Sequence, residues 1–247
     1  MLARMLASFA WGFLAAASLI AGGAFALHRR VGQRTLGLIM AFGSGVLISA
    51  VAFELVEQAF DTAAGEGGVA LGLFAGSAVF FAGDTLIDRL GGDDRKHSGG
   101  RQVEGSALAI VLGIVLDGIP ESIVLGLTIV VSASVSAAFL IAVALSNVPE
   151  AIAASTGLSQ SGWAARRILG LWTLVAVVSG LAALVGFTIL DSASPKTVAF
   201  VLAFAGGAIL TMLADTMMTE AFEHAGKLVG VVTTFGFALA FAISALE

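Results

Sequence analysis

Eight apolar runs, each close to the ~20 residues that a helix needs to cross a bilayer, divide this 247-residue sequence from end to end. They fall at roughly Phe9–Leu27, Gly37–Phe60, Val69–Leu86, Ser106–Val130, Ala137–Leu158, Ile168–Leu190, Val198–Met218 and Leu228–Leu246. Hydrocarbon offers no partner for backbone N–H and C=O groups, so each run must satisfy its own. The predicted class is therefore all-α, a single polytopic membrane domain over residues 1–247. Helices one to three occupy about 9–86, a loop 87–105, central helices four and five about 106–158, and helices six to eight about 168–246. The first run has Arg4 before it and small residues at its end, as a secretory signal does. A signal's apolar region is only about 7–15 residues long, whereas this one continues until His28, Arg29 and Arg30 stop it.

The chain is 58% hydrophobic and 12% charged, with a mean hydropathy of +1.02, as expected of a membrane protein. A net charge of −5 without any basic block gives nucleic acid nothing to bind. Cysteine is absent, which removes disulfides, thiolate metal ligands and cysteine nucleophiles together. The 31 glycines sit mostly inside the runs, where in membranes they permit close helix packing.

Orientation follows from Lys and Arg. Arg29, Arg30, Arg34, Arg89, Arg95, Lys96, Arg101, Arg166, Arg167 and Lys227 all follow odd-numbered runs, 10 of the 12 basic residues, against Arg4 and Lys196 on the other face. Both termini are expected outside the cytoplasm, in the plasma or inner membrane. The 87–105 loop is expected inside as a flexible link; a weak metal-collecting role for His97 with Asp93 and Asp94 is the alternative.

Two runs carry the same interruption. LDGIPESIVLGL in the fourth is echoed 29 residues on by LSNVPEAIAAS in the fifth, so Glu121 follows Pro120 and Glu150 follows Pro149. Asp117 and Glu121 are four apart, as are Ser146 and Glu150, which puts each pair on one helix face. A carboxylate in hydrocarbon costs about 3 kcal/mol or more unless it meets a partner or water, and two in neighbouring helices ask for a shared counter-charge. Each proline also removes a helical hydrogen bond, freeing the carbonyls of Leu116 and Leu145 to bind an ion or water. Asp117, Glu121, Ser146, Asn147 and Glu150 are thus the candidate metal ligands. The plainer alternative, kinked helices with buried protonated glutamates, leaves the duplication, Asp117 and Asn147 unexplained.

A fainter echo relates Ala41–Phe60 to Ala203–Phe222, with shared Ala-Phe ends and Gly45 against Gly207. By the expected orientation the two helices run oppositely. Helices one to three and six to eight would then form an inverted repeat around helices four and five, a 3+2+3 arrangement known from transporters.

At these residues the chain resembles the ZIP (Zrt/Irt-like) family of divalent-metal transporters, over nearly its whole length. That family has eight membrane helices, outside termini, a variable cytoplasmic loop between helices three and four, and H-N-x-P-E-G and [H/Q]-[D/E/N]-x-[P/x]-x-E patterns on helices four and five. The resemblance places Asp117 at the family's His, Gly118 at its Asn and Glu121 at its Glu; Ser146, Asn147 and Glu150 take the corresponding places on helix five. It implies metal held by these residues. Gly118 has no ligand atom, and the sixth run contains no acid, so one ion rather than the family's frequent pair is expected. An all-oxygen site suits Mg, Mn and similar ions better than it selects Zn.

Of the remaining acids, Glu54 and Asp215 lie deep in their runs, with a pathway role and a structural hydrogen bond as alternatives. Glu57, Asp84, Asp88, Glu220 and Glu223, with His224, are expected to meet interfacial water. A membrane-embedded metal-dependent enzyme is the rival class, but the sequence has no H-E-x-x-H, no serine–histidine pairing and no phosphate-cradling glycine loop; a non-transporting metal sensor is the third. The expectation is a non-enzymatic carrier, without resident cofactor, that moves a divalent cation (Zn, Mn, Fe or similar) toward the cytoplasm. Its surroundings are the lipid bilayer, and oligomeric state stays open, a homodimer included.

Overall fold

A computed structural model of the chain describes residues 1–29, 31–63, 68–89, 104–132 and 136–246. Residues 90–103 of the expected loop, Asp93, Asp94 and His97 among them, lie outside the described residues. The described residues are helical throughout apart from short turns, and each of the eight apolar runs is a helix. These are α1 (Leu2–His28), α2 (Gln33–Thr62), α3 (Gly68–Ile87), α4 (Glu104–Ser132), α5 (Ala137–Gln160), α6 (Ala165–Leu190), α7 (Pro195–Ala225) and α8 (Leu228–Ser244). Among the described residues, six are long and apolar enough to cross a membrane: α1, α2, α3, α5, α6 and α7. The last, α8, is apolar but has only 17 residues.

Large apolar side chains cover the outside: Phe74, Phe81, Leu174, Ile189, Val231 and Phe235 are all exposed. So much outward apolar surface on every side suits lipid rather than water. The interior is built by small residues, because lipid tails give helices no hydrophobic reason to associate and dispersion contacts must do the work. In one half of the molecule α1 packs on α5 and α6, and α6 on α4. In the other, α2 packs on α8 and α7, and α7 on α3. The halves meet where α2 touches α5 and α4 touches α7.

Glycines set the closest crossings, among them Gly126 of α4 against the Ala183 carbonyl of α6. A Cβ at Gly45 of α2 would collide with the Thr233 carbonyl of α8, and one at Gly236 of α8 with the Phe42 carbonyl of α2. The same reciprocal contact joins α7 to α3, where Gly207 meets the Leu73 carbonyl and Gly76 the Phe204 carbonyl.

Both α2 and α7 widen into π-helical turns, at Val51–Glu57 and Leu213–Met217. Such turns carry one residue more per loop of hydrogen bonds and are rare. Their first residues, Val51 and Leu213, are 162 positions apart, the same offset that aligns Gly45 with Gly207. Near one end of the bundle Arg4 ties three helices together. Its Nη2 donates to the Ile129 carbonyl of α4 at 2.6 Å, Nη1 lies 3.5 Å from Asp191 Oδ1 after α6, and the guanidinium sits 5.1 Å from the Phe187 ring centre.

Candidate metal centre

The two prolines lie inside unbroken helices, Pro120 in α4 and Pro149 in α5. Between these helices and the middle of α1 and α6 is a small cavity of about 10 Å³, room for one water molecule or one bare ion. Its polar walls are Glu121 and Ser122 from α4, Asn147 from α5 and Ser179 from α6, with Gly118 beside them; the apolar side of α1 is Ala15, Ala16 and Leu19.

Glu121 supplies the carboxyl group that lines the cavity. It is 2% exposed, with Asp117 close enough to act on it electrostatically and the Ser146 hydroxyl within hydrogen-bonding reach. That hydroxyl also lies 2.9 Å from the Val143 carbonyl. With a single hydrogen it satisfies one of the two oxygens as donor and leaves lone pairs toward the other. Asn147 donates through Nδ2 to the Ala15 carbonyl at 3.4 Å, a long bond. This leaves its amide oxygen as the ligand-capable atom. Ser122 gives its proton to the Gly118 carbonyl at 2.6 Å, so its oxygen too is left as an acceptor. The donors are one carboxylate, one amide oxygen and two hydroxyls, with a second carboxylate in the near field.

Of the five candidate ligands, Glu121 and Asn147 line the cavity and Ser146 reaches it through Glu121. Asp117 and Glu150 are half-buried and outside its wall. Among the described residues no three His, Asp or Glu side chains converge closely enough to hold an ion by themselves, so Asp117, Glu121 and Glu150 do not form a triad. The freed Leu145 carbonyl also points elsewhere. It lies 3.4 Å from where a Cβ of Gly43 would stand, so α2 uses the gap left by Pro149 to approach α5. Ser122, Ser179 and the Ala15 carbonyl did not stand out in the sequence. Ser122 follows the Pro-Glu pair directly and was within reach of a search for hydroxyls beside Glu121; α1 and α6 carry no local signal at all.

On the side of the cavity toward the α1–α2 turn, the same helices close tightly. A Cβ at Gly22 would stand 2.7 Å from the Val148 carbonyl, and one at Gly23 2.6 Å from the Trp172 ring. That ring is fully buried, and its Nε1 donates to Ser155 Oγ at 2.8 Å.

Of the acids expected at the interface, Glu57 and Glu223 are exposed, but two others are not. Asp84 and Glu220 are buried, and Glu220 lies 3.6 Å from the imidazole of His224, one turn on. Glu54, carried on the π turn of α2, accepts a hydrogen bond from Ser244 of α8 at 2.7 Å, the structural alternative. Asp215 is exposed and borders a groove of about 440 Å³ between α3 and α7.

A scan against models of known protein families finds no match for this chain, and a search of curated proteins finds none either.

Proposed function

We propose that this chain is a divalent-cation carrier of the ZIP type. It crosses the membrane eight times in a 3+2+3 inverted repeat and moves one ion at a time toward the cytoplasm through this small cavity. The observation that carries the proposal is a buried carboxyl group facing a single-ion space, built from the two proline-bearing helices and walled by α1 and α6. A carboxylate kept in hydrocarbon at such cost points to a cation partner. All donors are oxygens, which suits hard cations. A space for one bare ion also excludes one with its water shell, and Mg sheds its shell reluctantly. Mn and comparably labile ions therefore fit better than Mg.

The inverted repeat has support in the packing. Exchanging α1 with α6, α2 with α7, α3 with α8 and α4 with α5 turns the α2–α8 crossing into α7–α3 and the α1–α5 crossing into α6–α4, all of which occur. The paired π turns and the reciprocal glycines obey the same exchange.

Purified protein in liposomes, offered Mn, Fe, Co, Zn and Cd in competition, tests the proposal: uptake that saturates and is lost with Glu121 is expected. Metal binding without flux would instead indicate a sensor, and turnover of a chemical substrate an enzyme. In the same assay Asp117→His exchanges a charged oxygen for an imidazole, which favours Zn. The ratio of Zn to Mn uptake is expected to rise, and an unchanged ratio would remove Asp117 from the ion's surroundings. Topology has its own test, since the chain lacks cysteine. A cysteine at Ser98 is expected to react from the cytoplasmic side only and one at Ser192 from outside only; the reverse pattern would overturn the orientation.

A further inference from the structure

We propose that the cavity at the α1–α2 turn is an anion site that takes a phosphate group, from an anionic lipid headgroup or from free phosphate. The cavity holds about 630 Å³ and is bordered by His28 and Arg29 on one side and Thr156, Ser159 and Gln160 of α5 on the other. Guanidinium, imidazole, amide and the Ser159 hydroxyl are donors that recognise phosphate, and Arg supplies it with a two-pronged contact, while the Thr156 hydroxyl spends its proton on the Ile152 carbonyl at 2.7 Å. His28 Nδ1 is engaged by the Ala24 carbonyl at 2.8 Å, which leaves Nε2 as its remaining ring nitrogen. Leu27 and Val31 add apolar wall suited to the glycerol and first methylenes of a lipid. The volume falls within the usual range of small-ligand sites.

Among the described residues no acid lines this cavity. Residues 1–53 and 151–190 contain no Asp or Glu at all, although the chain as a whole is acidic at −5. The first turn of α6 carries Arg166 and Arg167, the latter stacked 3.7 Å over the Trp163 ring. The nearest acid along α5, Glu150, is six residues from Thr156, about 9 Å at helical rise, and lies off the cavity wall. Glu220 of α7 is already paired with His224, which packs against Gly37 of α2. A cation would meet net repulsion in this cavity and an anion net attraction.

Two arms test the proposal and separate the sources. In the first, protein reconstituted with phosphatidylglycerol or with phosphatidylcholine alone is examined by native mass spectrometry; retention of one phosphatidylglycerol assigns the lipid. In the second, inorganic phosphate is titrated into protein held in phosphatidylcholine nanodiscs; saturable binding assigns the free anion. In whichever arm binds, Arg29→Gln with His28→Gln is expected to weaken binding about tenfold or more, and Arg29→Lys to fall between. Both positions are exposed, so the variants should fold. Binding in neither arm, or binding indifferent to Arg29→Gln, overturns the assignment.

Discussion

Glu121→Gln is expected to abolish cation uptake while leaving a folded protein in the membrane. The substitution keeps the side chain's shape and removes the carboxyl group that lines the cavity. Substitutions behind a metal's direct ligands typically weaken binding 10- to 100-fold, so loss of the cavity's only carboxylate should exceed about 100-fold. Folding should survive, because a buried neutral amide is cheaper to keep in hydrocarbon than a carboxylate. Glu150→Gln, off the cavity wall, is expected to have a smaller effect, and the contrast makes the test specific. Uptake by the Glu121 variant equal to that of the native protein would mean that the Pro-Glu pair shapes helices only. Retained binding with lost flux would place Glu121 in movement rather than capture.

The second large effect concerns assembly. Gly45→Ala, Gly207→Ala and Gly76→Ala each add a single carbon where the nearest atom is a carbonyl of the facing helix. A backbone cannot rotate aside as a side chain can, so the helices must separate. Overpacking of this kind costs about 1–3 kcal/mol or more per site, and in lipid nothing but close contact holds the pair. A marked fall in thermal midpoint and loss of monodisperse protein are expected. Gly170→Ala and Gly230→Ala make the control, with nothing within 4 Å of the added carbon; they should be neutral or stabilising, since Ala favours a helix over Gly by about 1 kcal/mol. If both groups behaved alike, close backbone contact at these glycines would not be what holds the helices together. Equal losses at Gly45 and Gly207 are expected because the two sites occupy matching positions under the exchange of halves.

Much of this protein is decided locally, and so is present in its sequence. A run of some twenty apolar residues must be helical in lipid whatever surrounds it, and all eight runs are helices with ends within a few residues of the apolar limits, apart from α1 and α7, which extend further at one end. The Pro-Glu pairs drew attention to Glu121 and Asn147, both of which line the cavity, because a carboxyl group and a broken hydrogen bond are costly in hydrocarbon wherever they occur. Only the tertiary structure decided what completes the cavity. Ser179 and the Ala15 carbonyl come from helices with no polar signature, brought in because Gly12 and Gly180 let α1 and α6 touch. Contact across 132 residues, as between Asn147 and Ala15, leaves no mark in local spacing. Helix faces explain the rest: four residues' spacing put Asp117 with Glu121 and Ser146 with Glu150, yet the rotation of α4 and α5 against their neighbours turned Glu121 and Asn147 inward and left Asp117 and Glu150 half-buried. The same rotation gave the Leu145 carbonyl to Gly43, and the packing of α7 buried Glu220 with His224. A helix's angle about its own axis is set by which neighbour fits against it, and that is a property of pairs of helices rather than of any one.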